Sequence, residues 1–454
     1  MLIVFGSFAM IHFEESWYLI REARCGMEII ESSGYYQLLK HPTSKRLLVV
    51  CSSLDTRHPK FTFWKVAQKL DCNCLFLNSP MTHWYRTGII GIEGGPRGVA
   101  RKISEIRASL GIEETIFFGV SMGAYGAILF GSLSQADHVI AFSVEPLLGV
   151  PGGRTEVTRN QFQSLYPDLR VLRAPPKISL VYGEMDTPDT IGAYLLAEAF
   201  ADVDVYCVPY AEHDVANSLN YRRQLVPVLR ELIERKAVTN PALKKTVVSR
   251  EVYEVVHRVN NDYLARNWRA VLGDLERNMP LISSSLLLTF MYAVCSYKLG
   301  QVSIAKEKLL ELLERERECP HAWNLLSSCE FRLKLYNQAV VAAEFATSLK
   351  PQYSLFHMTH CNALLKLGRE EEAYRKVKIS GMLNPRHNPY IDEINRLAKV
   401  LGYQASTPQT LVQEKESSQL LRNLNEGFDN ARALSFDLHF FHKGVAVHDT
   451  AIAG

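Results

Sequence analysis

No stretch of about 18 uninterrupted apolar residues occurs in the 454-residue sequence, so no helix is expected to span a bilayer. Charge of one sign is missing too. Lys and Arg number 51 against 48 Asp and Glu, and a formal net charge of +3 is too near zero to point to nucleic acid or an anionic membrane surface. Nor do the nine cysteines form a pair of pairs at metal-ligand spacing; an odd, scattered set fits a reducing cytoplasm. Cys72 and Cys74 read as part of a buried strand rather than as a ligand pair, because no second pair accompanies them. The apolar start, Met1 to Met10, lacks a basic n-region and an evident cleavage site. Residues 1–26 are therefore read as a lead-in, with Met10 an alternative start.

What is present belongs to a globular chain, 47% hydrophobic and 22% charged, and too long for one ordinary core. The first half alternates candidate strands (27–31, 35–40, 46–51, 73–78, 115–119, 137–142, 177–182 and 203–208) with amphipathic stretches such as Phe63–Leu70 and Gly98–Leu110. That alternation predicts a mostly parallel sheet with helices on both faces. The most informative segment is Gly119-Val120-Ser121-Met122-Gly123, set between a hydrophobic run and a helical pattern. A serine on so sharp a strand-to-helix turn stands clear of the sheet, at a helix N-terminus that favours negative charge. Downstream, Asp186 lies just past the strand that ends at Gly183, and His213 just past the strand ending near Val208. A helix pattern from about Asn220 to Arg235 closes the unit.

Ser, Asp and His in that order, each beyond a strand, resemble the α/β-hydrolase family over roughly residues 27–236. The resemblance implies Ser121 as nucleophile, His213 as general base and then acid, and Asp186 as the group that orients the imidazole. Glu184 and Asp189 are rivals for the acidic position, although both could equally be loop residues capping the following helix. An oxyanion hole would use the amide of Met122 and one from Ser52, Ser53 or Leu54, after the third strand; the His-Gly pair of many family members is absent there. No metal or cofactor is implied. Residues 144–176, with a Gly-Pro-rich stretch and then Arg154 and Arg159, sit where an insertion commonly covers the nucleophile, and the two arginines could hold an acidic sugar or a carboxylate. His83, Trp84 and Tyr85 follow the fourth strand and could serve as a sugar-stacking platform, or simply as local packing.

From about Ser249 helical periodicity takes over. Ala305, Ala339 and Ala373 stand 34 residues apart, Pro351 and Pro385 keep the same step, and Gly300 and Gly368 are two steps apart. This resembles tetratricopeptide (TPR) repeats, which supply a concave groove for a peptide or protein partner. Trp323 and Leu326 fit the start of one repeat; an earlier, divergent unit covers Arg250 to Pro280. The tail from Gln404 is polar and expected to be mobile to about Ser418, while Phe436, Phe440 and Phe441 beside His439 and His442 read as structural or surface residues.

The expected organisation is thus a lead-in (1–26), an α/β-hydrolase domain with a mostly parallel sheet sandwiched by helices (27–236), a linker (237–249), an all-α TPR-like solenoid (250–403) and a tail (404–454). The expected function is a cytoplasmic serine hydrolase acting on a carboxylester, an O-acylated glycan being one such substrate, with a protein partner on the repeats. Its competitors are an acyltransferase with the same triad, a thioesterase or peptidase, and a scaffold whose hydrolase unit is degenerate.

Overall fold

The computed structural model describes residues 26–54, 56–80, 83–155, 166–173, 175–235 and 237–417. Arg159, the lead-in with Met10, and the aromatic and histidine residues of 436–442 lie outside the described residues. The chain forms two compact units, one ending at Leu288 and the other running on from Thr289. The division thus falls later than residue 250, where the repeats were expected to begin a separate domain.

The first unit is built on nine strands: β1 (Glu28–Ser32), β2 (Tyr36–Lys40), β3 (Arg46–Cys51), β4 (Asn73–Leu77), β5 (Glu114–Val120), β6 (His138–Phe142), β7 (Lys177–Gly183), β8 (Val203–Val208) and β9 (Lys244–Lys245). Their order across the sheet is β1-β2-β4-β3-β5-β6-β7-β8-β9. From β4 through β3 to β8 the pairings are parallel; β1, β2 and β9 are antiparallel edges. The central strands are apolar on both faces, as helices on both sides of a parallel sheet require. β9 comes from the expected linker, which therefore closes the sheet edge. The connection leaving β3 runs to β4 on one flank, and the one leaving β5 runs to β6 on the other. The carboxyl ends of β3 and β5 therefore mark the switch point of the sheet, beside which open α/β sheets bind their ligands.

The helices of this unit are α1 (Trp64–Ala67), α2 (Gly95–Leu110), α3 (Met122–Leu133), α4 (Thr187–Ala199), α5 (Val215–Tyr221), α6 (Leu225–Ile233), α7 (Arg250–Leu264), α8 (Trp268–Glu276) and α9 (Met279–Ile282). α3 is buried almost all round, which explains its lack of a polar stripe. The single helix expected over 220–235 is broken, because Arg223 adopts a left-handed conformation at φ 57° between α5 and α6.

The second unit consists of α10 (Leu286–Lys298), α11 (Val302–Arg315), α12 (Pro320–Arg332), α13 (Tyr336–Leu349), α14 (Ser354–Leu365), α15 (Glu370–Leu383), α16 (Asn388–Leu401) and α17 (Pro408–Ser417), with α10 straddling the division. The start points of α10, α12, α14 and α16 step by 34 residues, as do those of α8, α11, α13 and α15. Ala305, Ala339 and Ala373 are completely buried where paired helices meet. The turn within each pair carries one left-handed residue, again at a step of 34: Arg266, Gly300, Lys334, Gly368 and Gly402, with φ from 62° to 87°. A TPR-like helical repeat is therefore present, and its register reaches back into the divergent unit through Arg266 and Trp268. Residues expected to be a mobile tail instead form α17, whose Leu411 is fully buried among side chains of α15 and α16.

Trp323 stacks on Phe345 with ring centroids 4.5 Å apart, and its indole N–H donates to the Arg317 carbonyl at 2.7 Å. Trp323→Ala is expected to cost ~3–5 kcal/mol of stability, whereas Gly368→Ala should cost only ~1–2 kcal/mol. The reason for the smaller figure is that a Cβ at Gly368 meets no atom within 4 Å, leaving only the backbone penalty. Urea unfolding of the full chain, followed by helical circular dichroism, tests that ranking.

Candidate active site

β5 ends at Val120 and α3 begins at Met122, so Ser121 alone makes the turn, at φ 56° and ψ −118°. A non-glycine residue rarely adopts such a conformation, and here its surroundings enforce it. The Ser121 amide donates to the Phe142 carbonyl at 2.9 Å, and its carbonyl accepts from the Tyr125 amide at 3.1 Å. Glycines at 119 and 123 are required by space: a Cβ on Gly119 would collide with the Gly123 carbonyl, and one on Gly123 with the Cys51 carbonyl. The contact at Gly123 also draws the end of β3 alongside the serine.

His213 arrives on the loop after β8. That loop crosses the end of β7, where a Cβ on Gly183 would strike the carbonyls of Ala211 and Glu212. The Met185 amide donates to the Ala211 carbonyl at 3.0 Å and holds the crossing. His213 Nε2 lies 2.9 Å from Ser121 Oγ, and Nδ1 lies 2.7 Å from Asp189 Oδ1. An ionised carboxylate can only accept, so Nδ1–H donates to Asp189 and the Nε2 lone pair accepts from the serine hydroxyl.

The acidic partner is therefore Asp189, not Asp186. Asp186 is the N-cap of α4, with its side chain accepting from the Asp189 amide at 3.0 Å. A carboxylate engaged with the helix start points along the backbone, while the residue three further on turns inward to the histidine. Nothing in a Gly-x-x-Asp pattern distinguishes the two. The usable signal was the pair itself, since of two carboxylates three apart at a helix start the first suffices as cap. Glu184, the other rival, accepts from the Leu286 amide at 3.1 Å instead.

Electrostatics separates the two aspartates. Burial alone would raise the Asp189 carboxyl, yet the charge of His213 and its hydrogen bond outweigh burial and hold it below the ordinary range. Asp186 is pushed up to about 6, by burial first and by the neighbouring Asp189 charge second, with Arg154 opposing. For His213 burial disfavours the protonated ring, but Asp189 overcomes this and leaves its pKa raised.

Of the three amides considered beside Met122 for an oxyanion hole, two are committed elsewhere. Ser52 donates to the Leu77 carbonyl at 2.8 Å, and Ser53 to Thr62 Oγ1 at 3.1 Å. Leu54 is left, its amide having no acceptor among the described residues. Met122, at the first position of α3, keeps an amide with no partner inside the helix.

Trp84 and Tyr85 are not an exposed platform. They are 1% and 0% accessible; Trp84 meets Tyr125 edge-on, and the Tyr85 hydroxyl donates to the Ser52 carbonyl at 2.7 Å. Both take left-handed backbone conformations, which turn the rings into the core beneath the loop after β3. His83 is half-buried, with Nδ1 3.3 Å from Thr87 Oγ1. Arg154 does reach the site, but its Nη2 lies 3.2 Å from Asp186 Oδ2, so its charge balances a carboxylate of the protein. Asp186, Asp189 and His213 also bring one possible ligand atom each within 4.8 Å of one another. A second cation there would face the Arg154 guanidinium and would have to displace the proton that joins His213 to Asp189.

No family model and no curated protein matches the chain. Solved structures match in part. One, described as the first TPR of Spaghetti (RPAP3) bound to an HSP90 peptide, is 20% identical and covers 26% of this chain and 95% of its own, with a TM-score of 0.26. A MamA structure (MSR-1) is 17% identical over 40% of this chain and 98% of its own, with a TM-score of 0.30; a second (AMB-1) is 18% identical over 37% and 84%, with a TM-score of 0.28. The TPR-like character of the second unit stands on its own 34-residue helix geometry, and no family is assigned to the chain as a whole.

Proposed function

We propose that the first unit is a serine hydrolase of the α/β-hydrolase kind, cleaving a carboxylester through an acyl-enzyme, and that the repeats hold a protein or peptide partner. The observation that carries the enzymatic reading is the unbroken Ser121–His213–Asp189 hydrogen-bond chain at 2.9 and 2.7 Å, beside the sheet's switch point. As Ser121 Oγ attacks the ester carbonyl, its proton passes to His213 Nε2. Asp189 stabilises the imidazolium, and the oxyanion accepts from the amides of Met122 and Leu54. When the intermediate collapses, His213 returns the proton to the leaving alkoxide. A water then attacks the acyl-serine, giving its own proton to Nε2, and the acid leaves as Ser121 is restored. The preference for esters over amides rests on the family resemblance alone. With Trp84 and Tyr85 buried, a glycan substrate has lost its aromatic support, and the acyl group remains the part of the substrate the site addresses.

Fluorophosphonate labelling of the pure protein is expected to modify Ser121 and to vanish in Ser121→Ala; hydrolysis of p-nitrophenyl esters should vanish with it. Labelling without hydrolysis would move the chemistry to acyl transfer, and no labelling at all would leave the function with the repeats.

Asp189→Asn is expected to lower kcat by ~10⁴-fold, because the amide NH2 can donate to Nδ1, holding the ring in the wrong tautomer, and the carboxylate charge is lost, while Asp186→Asn keeps most of the activity. If the two substitutions exchanged effects, the acid assigned here would be wrong.

The pH profile should carry one acid limb. Only neutral His213 accepts the serine proton, so the rate is full above the histidine's raised pKa and falls as pH drops through it. Measured kcat/KM against pH would oppose the assignment if that limb lay below the ordinary histidine range.

A further inference from the structure

A second carboxylate beside the triad calls for a cause, since two buried acids in contact repel and one of them ordinarily takes up a proton. An oxygen of the Asp186 carboxylate lies within 4.8 Å of an Asp189 carboxylate oxygen and a His213 ring nitrogen, and the side chain is 12% accessible. Its counter-ion is Arg154, at 3.2 Å, delivered by a loop fixed at several points. Glu145, itself 2% accessible, accepts from the Arg154 amide and from Thr155 Oγ1 at 2.8 Å. The Thr155 hydroxyl oxygen in turn accepts from the Gly149 amide at 2.7 Å. On the outer side Asn260 Nδ2 of α7 donates to the Pro151 carbonyl at 2.8 Å.

We propose that Asp186 and Arg154 form a charge-balancing pair that sets the proton affinity of His213, both acting as positioning residues that touch no substrate. The inference rests on the serine-hydrolase reading for its purpose, but not for its geometry. Each member acts on the histidine in the opposite sense: the anion favours the imidazolium and the cation disfavours it. Together they leave the field at His213 to Asp189. The groups facing the ring are Asp189 from α4, Asp186 at the N-cap of that helix, Arg154 from the loop after β6 and the Ser121 hydroxyl, with Glu212 and Asp214 flanking it in its own loop. The pair also explains why burial and Asp189 together have not simply neutralised Asp186: Arg154 opposes them, leaving the carboxyl at about 6.

The signs are fixed. In Asp186→Asn the N-cap is kept, because an amide oxygen still accepts from the Asp189 amide, but the anion is lost and no longer offsets the Arg154 charge at His213. The imidazolium is then less stable, and the histidine titrates at lower pH than in the wild type. Removing the cation as well, in Asp186→Asn with Arg154→Met, takes away the excess charge and returns the midpoint towards the wild-type value. Arg154→Met alone leaves the midpoint at or above wild type, since Asp186 either keeps its charge or takes a proton.

The test is an NMR titration of the full chain with ¹⁵N-labelled histidine, the His213 signals being assigned by their loss in His213→Asn. A lowered midpoint in Asp186→Asn that recovers in the double variant supports the pair. A midpoint that does not move in Asp186→Asn, or stays low in the double variant, overturns it. Fluorophosphonate labelling of the same samples reads the hydrolase assignment separately. An unlabelled wild type with the expected titrations would sink the enzyme reading and leave the charge pair standing; labelling with unmoved titrations would do the reverse.

Discussion

Backbone-to-backbone approach at the carboxyl ends of β3, β5 and β7 is the constraint on which the rest depends. At three places at these strand ends the chain passes closer to itself than any Cβ permits: Gly119 against Gly123, Gly123 against Cys51, and Gly183 against Ala211 and Glu212. Each approach places one component of the site. The first forces Ser121 into its left-handed turn, the second sets the loop of Ser52, Ser53 and Leu54 beside the serine, and the third lays the His213 loop across the end of β7. Such turns hold strain, of the order of 1–3 kcal/mol for a non-glycine residue in a sparsely populated region, and persist only where the surroundings over-determine them. Here a sheet buried on both faces and an almost wholly buried α3 supply that rigidity.

The competition between Asp186 and Asp189 shows how a local requirement decides which carboxylate meets the histidine. A helix start leaves amides unsatisfied, and Asp186 takes that role because it directly precedes Thr187. Its geometry is then committed, and Asp189, one turn along the helix, is left to face the histidine. Because Asp189 lies at 0% side-chain accessibility, its charge acts in a medium of low effective dielectric and is felt strongly at His213. The same burial would make a second uncompensated acid costly, and Arg154 answers that cost.

Much of this arrangement was legible in the sequence, for reasons that differ by residue. Ser121 and His213 could be read because a five-residue glycine pattern and a post-strand position are local signals, set by steric needs the sequence must encode. The strands were legible because a central parallel strand is an apolar run. The acid could not be settled, since the choice between Asp186 and Asp189 depends on which side chain a helix start engages, a question of three-dimensional direction. Trp84 and Tyr85 misled because an aromatic pair after a strand reads alike whether its backbone turns outward or, at φ 47° and 58°, inward. The α17 helix was hidden in a polar stretch because one apolar side chain, Leu411, anchors it.

The repeats carry the same lesson at a different scale. A left-handed residue closes each helical hairpin at a step of 34, and glycine is the residue that adopts it without penalty. Two of the five positions, Arg266 and Lys334, are nevertheless long and charged. In a solenoid each repeat is held by its neighbours, so packing can override a local preference worth about 1–2 kcal/mol. Completely buried alanines at 305, 339 and 373 provide that packing, since only a small residue lets paired helices approach so closely. The alanine series is therefore the stricter marker of the repeat and the glycine series the looser one. That is why Gly300 and Gly368 stand two steps apart in the sequence, while the structure fills the step between them with Lys334.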